Sequence, residues 1–103
     1  MNIKELTQRA MVIRGKYLEL EKSKYGREWT TSEIAQGFVG DVGDLMKLVM
    51  AKAGIRDLED VDEKLKHELA DCLWSLLVIA RQYDIDLETA FVRTMNELEQ
   101  RFK

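Results

Sequence analysis

The stretch that decides the fold is Leu69-Ala70-Asp71-Cys72-Leu73-Trp74-Ser75-Leu76-Leu77-Val78-Ile79-Ala80. Its side chains are apolar nearly all the way around a helical projection, which predicts a helix in the middle of a core. Asp71 interrupts this stretch, and an ionised carboxylate there is costly to desolvate without a compensating cation or hydrogen-bond donor. Glu68 lies three residues earlier, so two carboxylates share one face of the same helix.

A second pair of acids, Asp41 and Asp44, has the same three-residue spacing in another helical segment. Two such pairs on two core-facing helices would bring four carboxylates together with no obvious basic partner. Clustered carboxylates repel one another and raise their own pKa values unless a cation is present. Either pair alone would fit solvated acids on a helix surface. The two pairs together predict a divalent metal site, and oxygen ligands are those that Mg²⁺ prefers.

The composition favours one small all-helical domain, residues 1–103, with no proline. A net charge of −3 argues against a general nucleic-acid-binding surface. Asp71 and Arg81 interrupt the longest apolar run, so no membrane span is expected. Met1-Asn2-Ile3-Lys4-Glu5 does not resemble a signal peptide. A single cysteine, Cys72, fits a reducing compartment, and we expect a cytoplasmic protein.

Apolar spacing predicts four helices, and therefore an all-α four-helix bundle. Thr30 and Glu33 have the spacing of a capping box and predict the start of the second helix. The third helix carries more apolar surface than one small bundle covers, which predicts association with another copy. The helices are expected from Ile3 to near Gly26, from Thr30 to near Gly54, from Asp60 or Asp62 to about Tyr83, and from Asp84 or Asp86 onward.

Each predicted helix has an apolar stripe that is expected to face inward. Glycines recur every three residues in the second helix, at Gly37, Gly40 and Gly43, and predict close packing of this helix against a neighbour. The stripes are Ile3, Leu6, Ala10, Ile13, Tyr17 and Leu20; Ala35, Phe38, Val42, Leu45 and Val49; Leu65, Leu69, Cys72, Leu76 and Ile79; and Leu87, Phe91, Met95, Leu98 and Phe102.

The order of these motifs resembles the MazG-like all-α nucleoside triphosphate pyrophosphohydrolases, whose signature is Glu-x-x-Glu on one helix and Glu-x-x-Asp on the next. Asp41 and Asp44 match the first element, and Glu68 and Asp71 match the second. The resemblance implies that these four carboxylates hold Mg²⁺, with Mn²⁺ as the alternative ion. It further implies a nucleoside triphosphate substrate, release of pyrophosphate and a nucleoside monophosphate, and a homodimer or homotetramer. Glu68 is the expected catalytic residue, orienting the attacking water.

The chain departs from the family pattern in two places. Asp41 and Asp44 are each one methylene shorter than the usual Glu. Thr94 and Leu98 stand where the last helix often has Lys and Asn. Four other residues are candidates for substrate binding: Trp29, Lys47, Arg93 and Asn96. Arg93 and Asn96 lie on the last helix, but on faces other than that of Thr94 and Leu98.

Two alternatives to the enzyme remain open at the level of sequence. One is a non-catalytic relative that keeps the bundle and binds nucleotide, metal or a protein partner. The presence of Thr94 and Leu98 in place of the usual Lys and Asn favours this alternative. The other is a purely structural helical oligomer. The paired acids at Asp41 and Asp44 and at Glu68 and Asp71 argue against that second alternative.

Overall fold

Four helices form the chain: α1 (Ile3–Tyr25), α2 (Thr31–Lys52), α3 (Val61–Gln82) and α4 (Leu87–Gln100). They come from a computed structural model that describes residues 1–102, in which there is no strand. The all-α fold class is confirmed, and the helix bounds lie within two residues of those predicted. None of these helices is both long and apolar enough to cross a lipid bilayer.

The helix ends follow from local side-chain chemistry. The Thr30 hydroxyl accepts a hydrogen bond from Glu33 N–H at 3.2 Å, and Glu33 Oε1 accepts one from Thr30 N–H at 3.0 Å. This is the predicted capping box. Arg27 donates two hydrogen bonds to the same carboxylate and lowers the pKa of Glu33 to about 2. Gly26 ends α1 in the left-handed conformation, and Asp86 caps α4.

The main packing is between α2 and α3, which run antiparallel. The Thr31 hydroxyl donates to Gln82 Oε1 at 2.8 Å at one end of the pair. At the other end, Lys52 Nζ lies 2.6 Å from Asp62 Oδ1. Helix α1 packs on α3, and α4 makes fewer contacts, with α1. The core lies between these elements: Ala10, Ile34, Leu77 and Val78, with Ile3, Leu6, Met11, Trp74, Ile79 and Leu87 packed against it.

Only part of the predicted inward stripe of α3 lies inward. Leu69 and Leu76 are 53% and 44% exposed, whereas Val78 is fully buried. Trp74 packs against the core and donates from Nε1 to the Ala10 carbonyl at 3.1 Å. Because both sides of α3 are apolar, the periodic pattern does not say which side packs against α1. The predicted stripe is therefore confirmed for Cys72, which is buried, and for Ile79, which packs against the core, and was wrong for Leu69 and Leu76.

The chain on its own is open, and much of its predicted core is exposed. Helix α4 has no buried residue. The radius of gyration is 16.4 Å, against about 13 Å for a compact domain of this length. The accessible surface is 7973 Å², against about 6,000 Å² for a folded monomer of this mass. Stripe residues predicted to be inward but exposed are Ile13, Tyr17, Leu20, Val42, Val49, Phe91, Leu98 and Phe102.

The glycine ridge of α2 makes no close contact with another helix of residues 1–102. A Cβ at Gly37, Gly40 or Gly43 would have no atom of the described residues within 4 Å beyond its own helix and neighbours. The prediction that these glycines permit close helix packing was therefore wrong for the single chain. The ridge leaves α2 with three flexible positions in its interior, each of which weakens the helix.

Replacing Gly40 by alanine is expected to raise the free energy of unfolding by about 1 kcal/mol, because alanine is the better helix former and its Cβ has open space. Urea denaturation followed by circular dichroism measures the change. Ala35→Gly, a matched reverse substitution in the same helix, should lower the free energy of unfolding. A destabilised Gly40→Ala protein would contradict the open position and indicate that another copy packs there.

Candidate metal centre and adjoining cavity

Three carboxylates meet between α2 and α3. Asp41 and Asp44 come from successive turns of α2, and Glu68 comes from α3. One carboxylate oxygen from each lies within 4.8 Å of the others. The i, i+3 spacing on α2 places both aspartates on the side that meets α3, and the antiparallel arrangement brings Glu68 opposite them.

Two carboxylates of this cluster, Glu68 and Asp41, have raised pKa values. Burial, with added repulsion from Asp41, Asp71 and Asp44, raises the pKa of Glu68. Burial and the charges of Asp71 and Asp44 raise the pKa of Asp41. Among residues 1–102, no lysine or arginine forms an ion pair with these carboxylates. The three acids therefore repel one another, and the nearby imidazole of His67 offsets only a small part of this repulsion at Glu68.

Asp71 lies beside the cluster rather than at its centre. Its charge contributes to the raised pKa of both Asp41 and Glu68, so it is near both. Its side chain is 46% exposed, and Asp71 Oδ2 lies 3.2 Å from Nε2 of His67. The sequence predicted an acid enclosed by apolar side chains, and this was wrong because the exposed side of α3 begins next to it.

The donor set fits a small divalent cation. Glu68 Oε1 is buried and has no hydrogen-bond partner among the described residues. Such an orphaned oxygen is costly unless something binds it. Neighbouring ligands of an octahedral Mg²⁺ are about 3.0 Å apart and opposite ligands about 4.2 Å apart, so oxygens now within 4.8 Å of one another would need side-chain shifts of about 1 Å to bind one ion. The residues present could thus hold such an ion, with positions left open for other ligands.

A cavity of about 480 Å³ adjoins the cluster on the side of α1. Its volume lies within the usual range for small-molecule sites, about 300–1,000 Å³. Asp41 and Asp71 line one end, and Trp29 lines another part of the wall. Tyr17 and Trp74 also line it, in an edge-to-face pair with ring centroids 5.8 Å apart. The cavity thus combines aromatic walls with an acidic end.

Lys47 lies on the other side of the cluster. It lines a groove together with Asp44 and Glu68, and Lys64 and His67 border the same groove. Lys47 lies one turn after Asp44 on α2, so both side chains border this groove. The cluster therefore separates an aromatic cavity from a groove that contains cationic groups.

Arg93 and Asn96 are not brought to the cluster within one chain. Both lie on α4 and line an open groove formed by that helix alone. Helix α4 packs on α1, away from the α2–α3 pair that carries the acids. Their role in substrate binding stays a prediction.

The sequence reasoning missed an ion pair inside the chain. Arg14 is 1% exposed and pairs with Glu21, which is 5% exposed. Both residues line the aromatic cavity. The available signal was their register: Ala10, Arg14 and Glu21 lie at helical spacing on the same face of α1.

Comparison with known proteins gives one family and one relative. Residues 30–103 match the family model described as the MazG nucleotide pyrophosphohydrolase domain. The gene 37 protein of Mycobacterium phage L5 is 32% identical over 74 residues, which cover 68% of this chain and 64% of that protein. The chain thus spans less than two thirds of the length of this relative. No solved structure matches.

Proposed function

This chain belongs to the MazG nucleotide pyrophosphohydrolase domain family, and we propose that it hydrolyses nucleoside triphosphates to a monophosphate and pyrophosphate with Mg²⁺. The observation that carries the proposal is the cluster of Asp41, Asp44 and Glu68, in which no lysine or arginine of the described residues pairs with the carboxylates and one Glu68 oxygen has no hydrogen-bond partner. Mn²⁺ is the alternative ion, since it also prefers oxygen ligands.

In this proposal Asp41, Asp44 and Glu68 hold the ion, and Asp71 supports them from the edge of the cluster. Mg²⁺, when bound, supplies electrostatic stabilisation of the charge that develops on the phosphate oxygens. Glu68 is in addition the catalytic residue. Its pKa is raised by burial and by its acidic neighbours, so its carboxylate is a suitable acceptor for the proton of the attacking water.

The substrate would span the cluster. The base and sugar occupy the aromatic cavity, where Trp29 offers a stacking surface, and the phosphates lie over the carboxylates. Lys47, on the opposite side, would contact the terminal phosphates. Arg93 and Asn96 would take part only from another copy of the chain, because they lie on α4 away from the cluster. We accordingly propose a homodimer or homotetramer, acting in the cytoplasm.

A second function is favoured by the same position of α4. No cationic side chain of that helix reaches the cluster within the chain, and Thr94 and Leu98 stand at the positions where the family often has polar side chains. A non-catalytic module that binds nucleotide and metal without turnover would need only the cavity and the carboxylates. Binding without pyrophosphate release distinguishes this function from the enzyme.

We expect the protein to release pyrophosphate from at least one of the common nucleoside triphosphates in millimolar Mg²⁺, and to lose this activity in EDTA. A screen of ribo- and deoxyribonucleoside triphosphates, scored for pyrophosphate and for the monophosphate product, tests it. Release of inorganic phosphate and a diphosphate would contradict the reaction. Nucleotide binding with no product would support the non-catalytic module.

A further inference from the structure

Arg14 and Glu21 form an ion pair that is almost completely enclosed. Arg14 is 1% exposed and Glu21 is 5% exposed. Arg14 Nη1 donates to Glu21 Oε2 at 2.7 Å, and Nη2 donates to Glu21 Oε1 at 3.0 Å. This bidentate geometry fixes both side chains, since a guanidinium group and a carboxylate match as two planar forks. Both residues lie two turns apart on α1, so the pair itself joins no two helices.

The pair instead holds the backbone of Trp29, in the connection between α1 and α2. Glu21 Oε1 accepts a hydrogen bond from Trp29 N–H at 2.7 Å. Arg14 Nη2 donates to the Trp29 carbonyl at 3.1 Å. Both polar groups of this one peptide residue are therefore bound by the same ion pair. A loop residue held from both sides has a fixed position, although the loop around it is exposed.

Stability alone gives a weak reason for this pair. Desolvation of two charges offsets most of the attraction between them, and well-packed apolar residues often stabilise a fold as well or better. Arg14 Nε is also buried and lacks a hydrogen-bond partner among the described residues, which adds to the cost. The pair instead fixes the position of Trp29 beside the cavity. Arg14, Glu21 and Trp29 all line this cavity, and so do Asp41 and Asp71.

We propose that the Arg14–Glu21 pair is a positioning element that holds Trp29 in the wall of a subsite for the base and sugar of the nucleotide. This rests on the proposed function, since it names the part of the substrate that the cavity takes. Arg14 and Glu21 act through Trp29 and bind no phosphate themselves, because both are almost completely buried and bond to each other and to Trp29. Losing the pair therefore weakens nucleotide binding and leaves the carboxylate cluster intact.

The test replaces the pair by apolar residues that fill the same space, Arg14→Met with Glu21→Leu. The fold is expected to survive, because such replacements of buried pairs are often neutral or stabilising. Binding is measured with the four α,β-imido deoxynucleoside triphosphates in millimolar Mg²⁺, which requires no turnover. The Kd is expected to rise roughly five- to hundredfold, the range set by stacking of one base on an aromatic ring.

Two further variants separate positioning from a merely structural role. Trp29→Ala should raise the Kd to the same extent, and adding it to the double variant should raise the Kd no further, because the pair acts through that residue. The control is Lys22→Gln with Glu28→Gln. It removes an exposed ion pair of 3.0 Å at the same junction and should leave the Kd unchanged.

Each outcome decides between the proposals. A folded double variant that binds the analogues as the parent does overturns the positioning role, and so does a parent that binds none of them. Additive losses from the pair and from Trp29 also overturn it. A parent that binds the analogues but hydrolyses no triphosphate contradicts the proposed enzyme, and the positioning role is then still decided by the Kd values.

Discussion

Glu68→Gln is expected to lower the rate of pyrophosphate release by at least about 10²-fold, the lower end of the contribution of a positioned general base. Glutamine has the same shape but cannot accept the proton of water. It also removes one ionic oxygen from the three that lie within 4.8 Å of one another. We therefore expect weaker metal binding as well, seen as a smaller rise in melting temperature when millimolar Mg²⁺ is added.

The same substitution is expected to stabilise the protein in EDTA. Burial and neighbouring charges raise the pKa of Glu68 in the folded state, so the folded chain binds more protons than the unfolded chain at pH values between the two pKa values. Its stability therefore falls as pH rises through that window and stays lower above it. The variant lacks this penalty. Its advantage over the parent should be small at acid pH and larger at neutral pH.

Glu97→Gln is the matched control, since it makes the same chemical change at an exposed position on α4. It should alter neither turnover nor the response to Mg²⁺. A Glu68→Gln protein that keeps its turnover would contradict the catalytic role. One that is less stable than the parent in EDTA at neutral pH would show that the chain itself compensates the carboxylate.

The helix ends were predictable because they depend on short-range chemistry. Thr30 and Glu33 form their capping box within four residues, and Gly26 ends α1 through its own backbone freedom. The proximity of the acids was predictable for a related reason. An i, i+3 spacing fixes the face of a helix, and two antiparallel helices with one acid pair each have few ways to face each other.

The arrangement around the cluster was not predictable from spacing alone. Asp71 was the most informative acid in the sequence, because it interrupts an apolar stretch. In the structure Glu68 is the acid with a buried, orphaned oxygen, and Asp71 is half exposed. The difference arises because α3 is apolar on both sides, and only the packing of α1 decides which side is enclosed. For the same reason, the burial of Arg14 could not be predicted from helical spacing alone, because it depends on the ion pair with Glu21.

The apolar face left open on α2 and α3 predicts the second large effect. Leu69, Leu73 and Leu76 are exposed on α3, and Val42 and Met46 are exposed on α2. Successive residues of a helix are about 100° apart, so the exposed apolar residues of each helix form one stripe along it. In the antiparallel pair, the stripe of α2 and the stripe of α3 both lie on the side away from α1. The accessible surface exceeds that of a compact monomer by about 2,000 Å² per chain, which is more than the roughly 800 Å² per partner that a stable interface buries.

We expect the parent chain to be a dimer or tetramer at micromolar concentration and Leu69→Glu with Leu73→Glu to be a monomer. Two leucines removed from an apolar interface cost about 3–6 kcal/mol, on the order of 10²–10⁴ in the dissociation constant. The two added carboxylates would increase that cost, because burial would leave them unpaired. Light scattering measures the mass, and circular dichroism checks that the variant keeps its helices.

Val12→Glu is the control, since Val12 is an exposed apolar residue on the outer face of α1. The Val12→Glu protein should have the same mass in light scattering as the parent. Dissociation by Val12→Glu and not by the leucine pair would place the interface on α1 instead. A monomeric parent would contradict association altogether. Among the described helices, α4, which has no buried residue, would then be the one free to cover the exposed leucines of α3. Its apolar side would have to leave α1 and pack across α3. Closure of that kind would bring Arg93 and Asn96 to the α2–α3 pair within one chain.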